Sequence, residues 1–439
     1  GYFPCLMLAR LLTSQGVTVT FVVTEEELAT KLKESERRSG SPEAHDSIRY
    51  ATIAYEPPSK TPTDFFQTFK MGYSLRSGFE ALLHKLTSSP VGVTCIIIDC
   101  FVPWGWKVAS DFKIPAFAFY TTNAHALTVM LHARSLIPHG LTVPHRVIEG
   151  IPGLSPLQVC DLPRSIHTLP SFSMNLSEDL RNAAGVILNT VLELEKEPLE
   201  FVSCKIPFYA IGPMRLVLGA ECFGGLHGAN HRTEERECLD WLGTRPHASV
   251  LFVAFGSWVN MNCNQVRELA EGLEASGQAF LWVNRSNDTL LPEDFMERTK
   301  DRGLMITWAP QVEVSSHSAI GGFITHCGWN SLTENLSQRA VPMICWPHLA
   351  EQRLNKRLLV NKWNVGLELR DEDGVVKKTE LEKVIIDVMQ GEIGKEPWKR
   401  ALRLKELILS AVEERGSSQR YLKALGEEIR HLGSGVTAE

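Results

Sequence analysis

The densest run of chemistry-bearing residues lies between Trp308 and Gln352. Gly321 to Thr325 reads as a buried strand, and His326-Cys327-Gly328-Trp329-Asn330-Ser331 opens a helix directly after it. A helix that begins at the carboxyl end of a strand presents unpaired N–H groups and the positive end of its dipole, a ready site for phosphate or pyrophosphate. Gly328 permits close backbone approach. His326, Asn330 and Ser331 add side-chain donors, and Ser257, after Gly256 at another strand end, adds one more. Trp308 ends a strand and offers a flat face to a base. Glu334, one turn along the helix, offers acceptors to a ribose diol. Glu351-Gln352 sets a carboxylate beside an amide, a pair suited to several sugar hydroxyls. Each residue alone has a simpler explanation: packing for Trp308, capping for His326, a turn for Gly256-Ser257, a solvated face for Glu334. Jointly they describe a site for a sugar nucleotide.

Other chemistries lack support. The chain holds no G-x-G-x-x-G, no G-x-x-x-x-G-K-[ST] and no H-E-x-x-H, so dinucleotide, P-loop and zincin readings have no motif. His317 and His326 stand nine apart, a poor spacing for metal ligands on a helix; neither a metal nor a cofactor is expected. Net charge is -6 without a basic run, which argues against nucleic acid and anionic membrane partners. No apolar run reaches about 18 residues, so no membrane span is expected. The 10 cysteines form no C-x-x-C pair, which suggests a reducing, cytoplasmic setting.

These residues must be carried by regular elements. Composition is ordinary for a globular chain of 439 residues, 44% hydrophobic and 22% charged, enough for two cores. Strand-like and helix-like segments alternate in both halves: strands at Val17–Val23, Thr94–Ile98, Ala116–Tyr120 and Gly185–Asn189, then at Val250–Phe255, Ala279–Val283, Met305–Thr307, Gly321–Thr325 and Pro342–Cys345. Helices are expected at Gly78–Leu86, Trp104–Phe112, Gln265–Ser276, Gly328–Leu336, Glu351–Asn361 and Ser417–Leu432. Such alternation predicts an α/β protein with parallel sheets covered on both faces. Pro138 to Pro170 reads as a long irregular surface loop, and the glycine-rich stretch from Gly212 to His231 as an interdomain linker. A strand before Gly1 would complete the first unit, so the chain is expected to be truncated at its amino end.

Trp308 to Gln352 resembles the signature box of plant-type family 1 UDP-sugar glycosyltransferases. The likeness extends to Ile98-Asp99-Cys100-Phe101, to Thr121-Thr122-Asn123-Ala124, to Cys238-Leu239-Asp240-Trp241-Leu242 and to Ser249 through Ser257. It implies the GT-B fold, two Rossmann-like domains facing across a cleft: residues 1–213 for the acceptor, a linker at 214–236, 237–416 for the UDP-sugar, and a helix at 417–439 crossing back. It further implies that Trp308 stacks on uracil, that the Ala309 backbone and Gln311 contact the uridine, and that Glu334 holds the ribose. His326, Asn330, Ser331 and Ser257 would hold the diphosphate, and Trp329, Glu351 and Gln352 the transferred sugar. By the same resemblance the terminal Gln352 implies glucose as the donor sugar, with an inverting, metal-free transfer to a hydroxyl of a small lipophilic acceptor, phenolic ones included.

Two departures stand out. Ser337-Gln338-Arg339-Ala340-Val341 is one residue longer than the family pattern, which either shifts Glu351 and Gln352 or is absorbed locally. The family's base is the His of a G-H-x-x-P motif, and its position falls on Gly1, or on Tyr2 with a one-residue gap. Neither side chain is a competent base. Asp99, at a strand end, has a capping explanation; the resemblance makes it the carboxylate that orients that His. The expectation is an active transferase whose base lies upstream of Gly1, against a pseudo-enzyme that binds UDP-sugar without turning it over. A nicotinamide oxidoreductase is disfavoured by the absent glycine fingerprint. Phe65, Phe66, Phe69, Met71, Phe101 and Trp104 are candidates for an apolar acceptor wall.

Overall fold

The computed structural model describes residues 2–28, 48–54, 72–90, 92–219, 232–256, 258–259, 261–284, 291–371 and 375–435. Two strands near the amino end, β1 (Thr20–Thr24) and β2 (Arg49–Ile53), pair in parallel. A four-stranded parallel sheet follows: β3 (Ile96–Asp99), β4 (Ala116–Tyr120), β7 (Gly185–Leu188) and β8 (Phe208–Ala210), in that spatial order. Between β4 and β7 lies a short antiparallel hairpin, β5 (Val147–Ile148) with β6 (Leu157–Gln158).

The second half builds a six-stranded parallel sheet from β9 (Val250–Ala254), β10 (Ala279–Val283), β11 (Gly303–Ile306), β12 (Ile320–Thr325), β13 (Met343–Cys345) and β14 (Gly366–Glu368). Its order, β11-β10-β9-β12-β13-β14, is the doubly wound arrangement whose direction reverses between β9 and β12, and ligands bind outside the carboxyl ends of the strands at that switch point. Every residue of β9 is buried. Val250, Phe252 and Ala254 enter one apolar cluster and Leu251, Val253 and Phe255 another, as the two-residue period of a strand covered on both faces requires.

The last helix, Ser417–Gly435, does not stay with that sheet. Leu422, Leu425 and Ile429 pack with Leu8, Leu11 and Leu12 of the first helix, Tyr2–Ser14, and with Phe117 and Ile187 of β4 and β7. Ser418 Oγ donates to the Gly212 carbonyl at 2.5 Å, and Arg430 reaches the Gln15 carbonyl.

Two expectations need correction, and a third falls partly outside the described residues. Pro138–Pro170 is not an irregular surface loop. Ile151, Leu157, Val159 and Leu162 are buried, and the segment carries the β5–β6 hairpin and a helix at Arg164–Thr168. It also bonds the second half: Arg164 N donates to Ala350 O at 2.7 Å, and Arg357 pairs with Asp161 at 3.2 Å. The stretch expected to be a linker begins with a helix, Met214–Leu218, and residues 220–231 lie outside the described residues. The helix expected from Glu351 to Asn361 is α-helical only over Gln352–Arg357 and then widens into a π turn, Leu358–Lys362.

The extra residue after Ser337 is absorbed locally. The helix Trp329–Ser337 ends there, Ala340 takes φ 56°, and Ala340 N returns to Asn335 O at 2.8 Å. Arg339 Nε donates to Ile320 O at 2.7 Å, at the amino end of β12 and away from the site. The register of β12 on β13 is unbroken, Phe323 facing Met343 through Thr325 facing Cys345.

Candidate active site

Strand β12 ends at Thr325, and Cys327 turns the chain with φ 63° into the helix Trp329–Ser337. A positive φ at a non-glycine residue is strained and needs external support. Cys327 N donates to Thr325 Oγ1 at 3.2 Å, and Asn355 Nδ2 donates to Cys327 O at 2.8 Å. No side chain caps the amino end of this helix, so its first N–H groups remain available to an anion.

His326 sits at this turn beside the end of β9. A Cβ built on Gly256, which holds φ +70°, would fall 2.8 Å from His326 Nε2, and one on Gly328 would fall 2.3 Å from it. Both positions must therefore be glycine for the imidazole to lie in the switch-point crevice. Burial pushes the imidazole down to about 4, helped by the neighbouring His348. His326 is thus neutral at pH 7, and its buried Nδ1 has no hydrogen-bond partner among the described residues. The ring therefore brings no standing positive charge to the crevice. Ser257 lies outside the described residues.

Ser331 and Glu334 share one face of the helix, three residues apart, and meet Gln311 of the preceding helix, Gln311–Ser316. Gln311 Nε2 donates to Ser331 Oγ at 2.9 Å and to Glu334 Oε2 at 2.9 Å. Burial raises the Glu334 carboxyl to about 7, against the opposing pull of Arg215. Trp308 and Ala309 follow β11 at the same sheet end, with Trp308 half-buried and Ala309 buried. Trp308, Ala309, Gln311, Ser331 and Glu334 therefore form one group beside the helix terminus.

The two residues expected at the sugar, Glu351 and Gln352, open the helix Gln352–Arg357 that follows β13. Gln352 Oε1 accepts from His348 N at 2.8 Å and Leu349 N at 2.7 Å, which fixes the orientation of its amide. Glu351 accepts from Thr122 Oγ1 at 3.0 Å, and burial pushes its carboxyl up. The Trp329 indole is 3% exposed, and Nε1 donates to Asn189 O at 2.7 Å. The ring is a packing and bridging group.

Several polar residues in this arrangement carried no assignment from sequence. Asn189, just past β7, donates from Nδ2 to Asn330 Oδ1 at 2.9 Å. That fixes the Asn330 amide with its NH₂ free to donate. Asn123 caps the helix Ala124–Leu131 and donates to Asn355 Oδ1 at 2.5 Å. Asn189 and Asn123 both follow apolar parallel strands. Polar residues at carboxyl strand ends are the signal that the switch-point rule gives.

Asp99 closes β3 and accepts from Phe101 N at 3.0 Å, the capping role expected of a strand-end aspartate. Cys5 Sγ lies 3.9 Å from Asp99 Oδ2. Burial pushes that thiol up to about 12, so Cys5 is a proton donor there and no base. Gly1 lies outside the described residues, and the Tyr2 ring packs edge-on against Phe21. Of the acceptor-wall candidates, Phe65, Phe66, Phe69 and Met71 lie outside the described residues. Phe101 is 40% exposed and stacks on Phe172, whereas Trp104 is buried and donates Nε1 to Gly72 O.

A family model described as UDP-glucoronosyl and UDP-glucosyl transferase matches residues 80–406. The chain belongs to this family. Among curated relatives, the 7-deoxyloganetin glucosyltransferase of Catharanthus roseus is 36% identical, over 96% of this chain and 92% of its own. The (R)-mandelonitrile beta-glucosyltransferase of Prunus dulcis is also 36% identical, over 97% of this chain and 94% of its own. A Medicago truncatula glycosyltransferase solved with UDP-glucose superposes with a TM-score of 0.83 at 30% identity, covering 97% of this chain and 94% of that one. A Phytolacca americana enzyme solved with UDP-2fluoro-glucose and pterostilbene gives 0.83 at 28%, covering 98% and 97%. The fold is GT-B. The UDP-dependent glycosyltransferase family excludes the oxidoreductase reading, and relatives named as glucosyltransferases lend no support to a binding-only role. Among the described residues, no helix is long and apolar enough to cross a membrane.

Proposed function

We propose that this glycosyltransferase moves glucose from UDP-glucose to a hydroxyl of a small lipophilic acceptor, with inversion at the anomeric carbon. The observation that carries the reading is the uncapped helix Trp329–Ser337 at the β9–β12 switch point, with Gln311, Ser331 and Glu334 bonded together beside it.

In this reading uracil stacks on Trp308, with the Ala309 backbone and Gln311 on its edge, and the ribose diol donates to Glu334. The diphosphate lies on the N–H groups of the helix, on neutral His326, on Ser257, and on the Asn330 and Ser331 side chains. Glu351, the Gln352 NH₂ and the Trp329 backbone receive the glucosyl hydroxyls. An acceptor hydroxyl attacks the anomeric carbon as a base removes its proton, and the C–O bond to UDP breaks. Charge developing on the departing phosphate meets preorganised donors. The helix and side-chain donors supply this stabilisation, and no metal enters the scheme. Asp99 orients the base and stabilises its cation by triad logic.

The two sheets support a division into an acceptor half, 1–213, a linker, 214–236, a donor half, 237–416, and the returning helix, 417–439. The Phe101 ring, exposed and stacked on the half-buried Phe172, supports an apolar acceptor, phenolic ones included. The described cysteines are all free thiols, which suits a cytoplasmic setting. The test is UDP release from UDP-glucose with a mixed panel of phenolic and terpenoid alcohols. Acceptor-dependent release with a β-glucoside product is expected. Release independent of every acceptor, or an α-linked product, would overturn the proposal.

A further inference from the structure

The Glu351 carboxylate is held from both walls of the cleft. Thr122 Oγ1, on the loop after β4 in the first half, donates to Oε1 at 3.0 Å. Asn355 Nδ2, one turn along the helix from Glu351, donates to the same oxygen at 3.3 Å. Among the described residues no other side chain bonds the second oxygen, so Oε2 keeps its acceptor capacity. Asn355 is itself pinned, donating to Cys327 O at 2.8 Å and accepting from Asn123 Nδ2 at 2.5 Å. Thr122 is 8% exposed and Asn123 and Asn355 are fully buried. One amide thus ties the sugar-side carboxylate to the strained turn that launches the phosphate-side helix.

We propose that Thr122 is a positioning residue for the donor sugar, reaching across the cleft to hold the Glu351 carboxylate in one orientation, with Asn355 as its second anchor. The inference rests on the donor-site reading above. The grip depends on the length of the glutamate. An aspartate is one methylene shorter, a retraction of about 1.5 Å, which takes a 3.0 Å contact out of hydrogen-bond range. Because Thr122 acts through Glu351, its loss is felt by the glucosyl group and not by the nucleotide.

The experiment titrates UDP and UDP-glucose separately into the parent chain, Thr122→Val, Thr122→Ser, Glu351→Asp and the Thr122→Val/Glu351→Asp double variant. Thr122→Val is expected to weaken UDP-glucose about tenfold, the loss of one charge-assisted hydrogen bond, and to change UDP less than about twofold. Thr122→Ser restores UDP-glucose affinity. In the Glu351→Asp background, Thr122→Val has almost no further effect. Equal losses in both backgrounds, or equal losses for UDP and UDP-glucose, overturn the inference. Failure of the parent to bind UDP at all contradicts the donor-site reading itself.

Discussion

Glu334→Gln is expected to stabilise the free protein at alkaline pH while weakening its hold on UDP. Burial raises the Glu334 carboxyl from 4.5 to about 7. An acid whose pKa is raised on folding costs nothing below its unfolded value, and the cost grows as pH rises to its folded value, beyond which it is constant. For Glu334 that window runs from 4.5 to about 7, and at 1.36 kcal/mol per unit the full penalty is about 3 kcal/mol. Glutamine never ionises, and its oxygen still accepts from Gln311, so the variant escapes the penalty. Urea unfolding midpoints measured near pH 5 and pH 8.5 report the difference. The two proteins should be nearly equal at pH 5, and the variant more stable by about 1–3 kcal/mol at pH 8.5. The ligand side runs the other way. A ribose diol donates to the ionised carboxylate, so parent affinity for UDP should rise with pH through about 7. The variant should bind about tenfold more weakly at pH 8.5 and with little pH dependence. A variant less stable than the parent at pH 8.5, with unchanged UDP affinity, would refute the reasoning.

Gly256→Ala forces a Cβ to within 2.8 Å of His326 Nε2 at φ +70°; a stability loss of about 1–3 kcal/mol and at least a tenfold loss of UDP affinity are expected, and intact affinity by calorimetry would contradict the placement of His326. Asn189→Ala frees the Asn330 amide to rotate and strips the Met214 N–H of its acceptor at 3.0 Å, so urea unfolding should show about 1–2 kcal/mol lost and UDP should bind several-fold more weakly. Alkylation at pH 8 followed by mass spectrometry should, among the described cysteines, label the exposed Cys204 and Cys263 first, and should spare Cys5 and Cys95, whose thiols burial pushes up to about 12; early loss of the Cys5 thiol would show that the Asp99 environment is open.

Residues that obey one period were legible in advance. β4 and β10 fall on the residues expected, Ala116–Tyr120 and Ala279–Val283, because buried parallel strands read as short apolar runs between turn signals. The helix at Trp329 was legible because its strand, turn and polar first turn are contiguous. The helix Ala124–Leu131 was not, since all eight of its residues are buried and no polar face marks the helical period. Pro138–Pro170 misled because proline content signals irregular backbone but says nothing about burial against another half of the chain. The partner of the Trp329 indole was not legible: only the fold places Asn189 O, 140 residues away in sequence, against it. The bridges Thr122 to Glu351 and Asn123 to Asn355 span 229 and 232 residues, and no local pattern encodes such pairs.

The central claim is that the crevice between β9 and β12 binds a uridine diphosphate. Its most direct measurement is calorimetric titration of UDP into the parent chain and into Trp308→Ala and Ser331→Ala. Saturable binding at a single site, in the range of about 1 µM to 1 mM usual for enzyme substrates, and weakened at least tenfold by Trp308→Ala and severalfold by Ser331→Ala, is predicted. Saturable binding that neither substitution touches would place the nucleotide elsewhere and contradict the account.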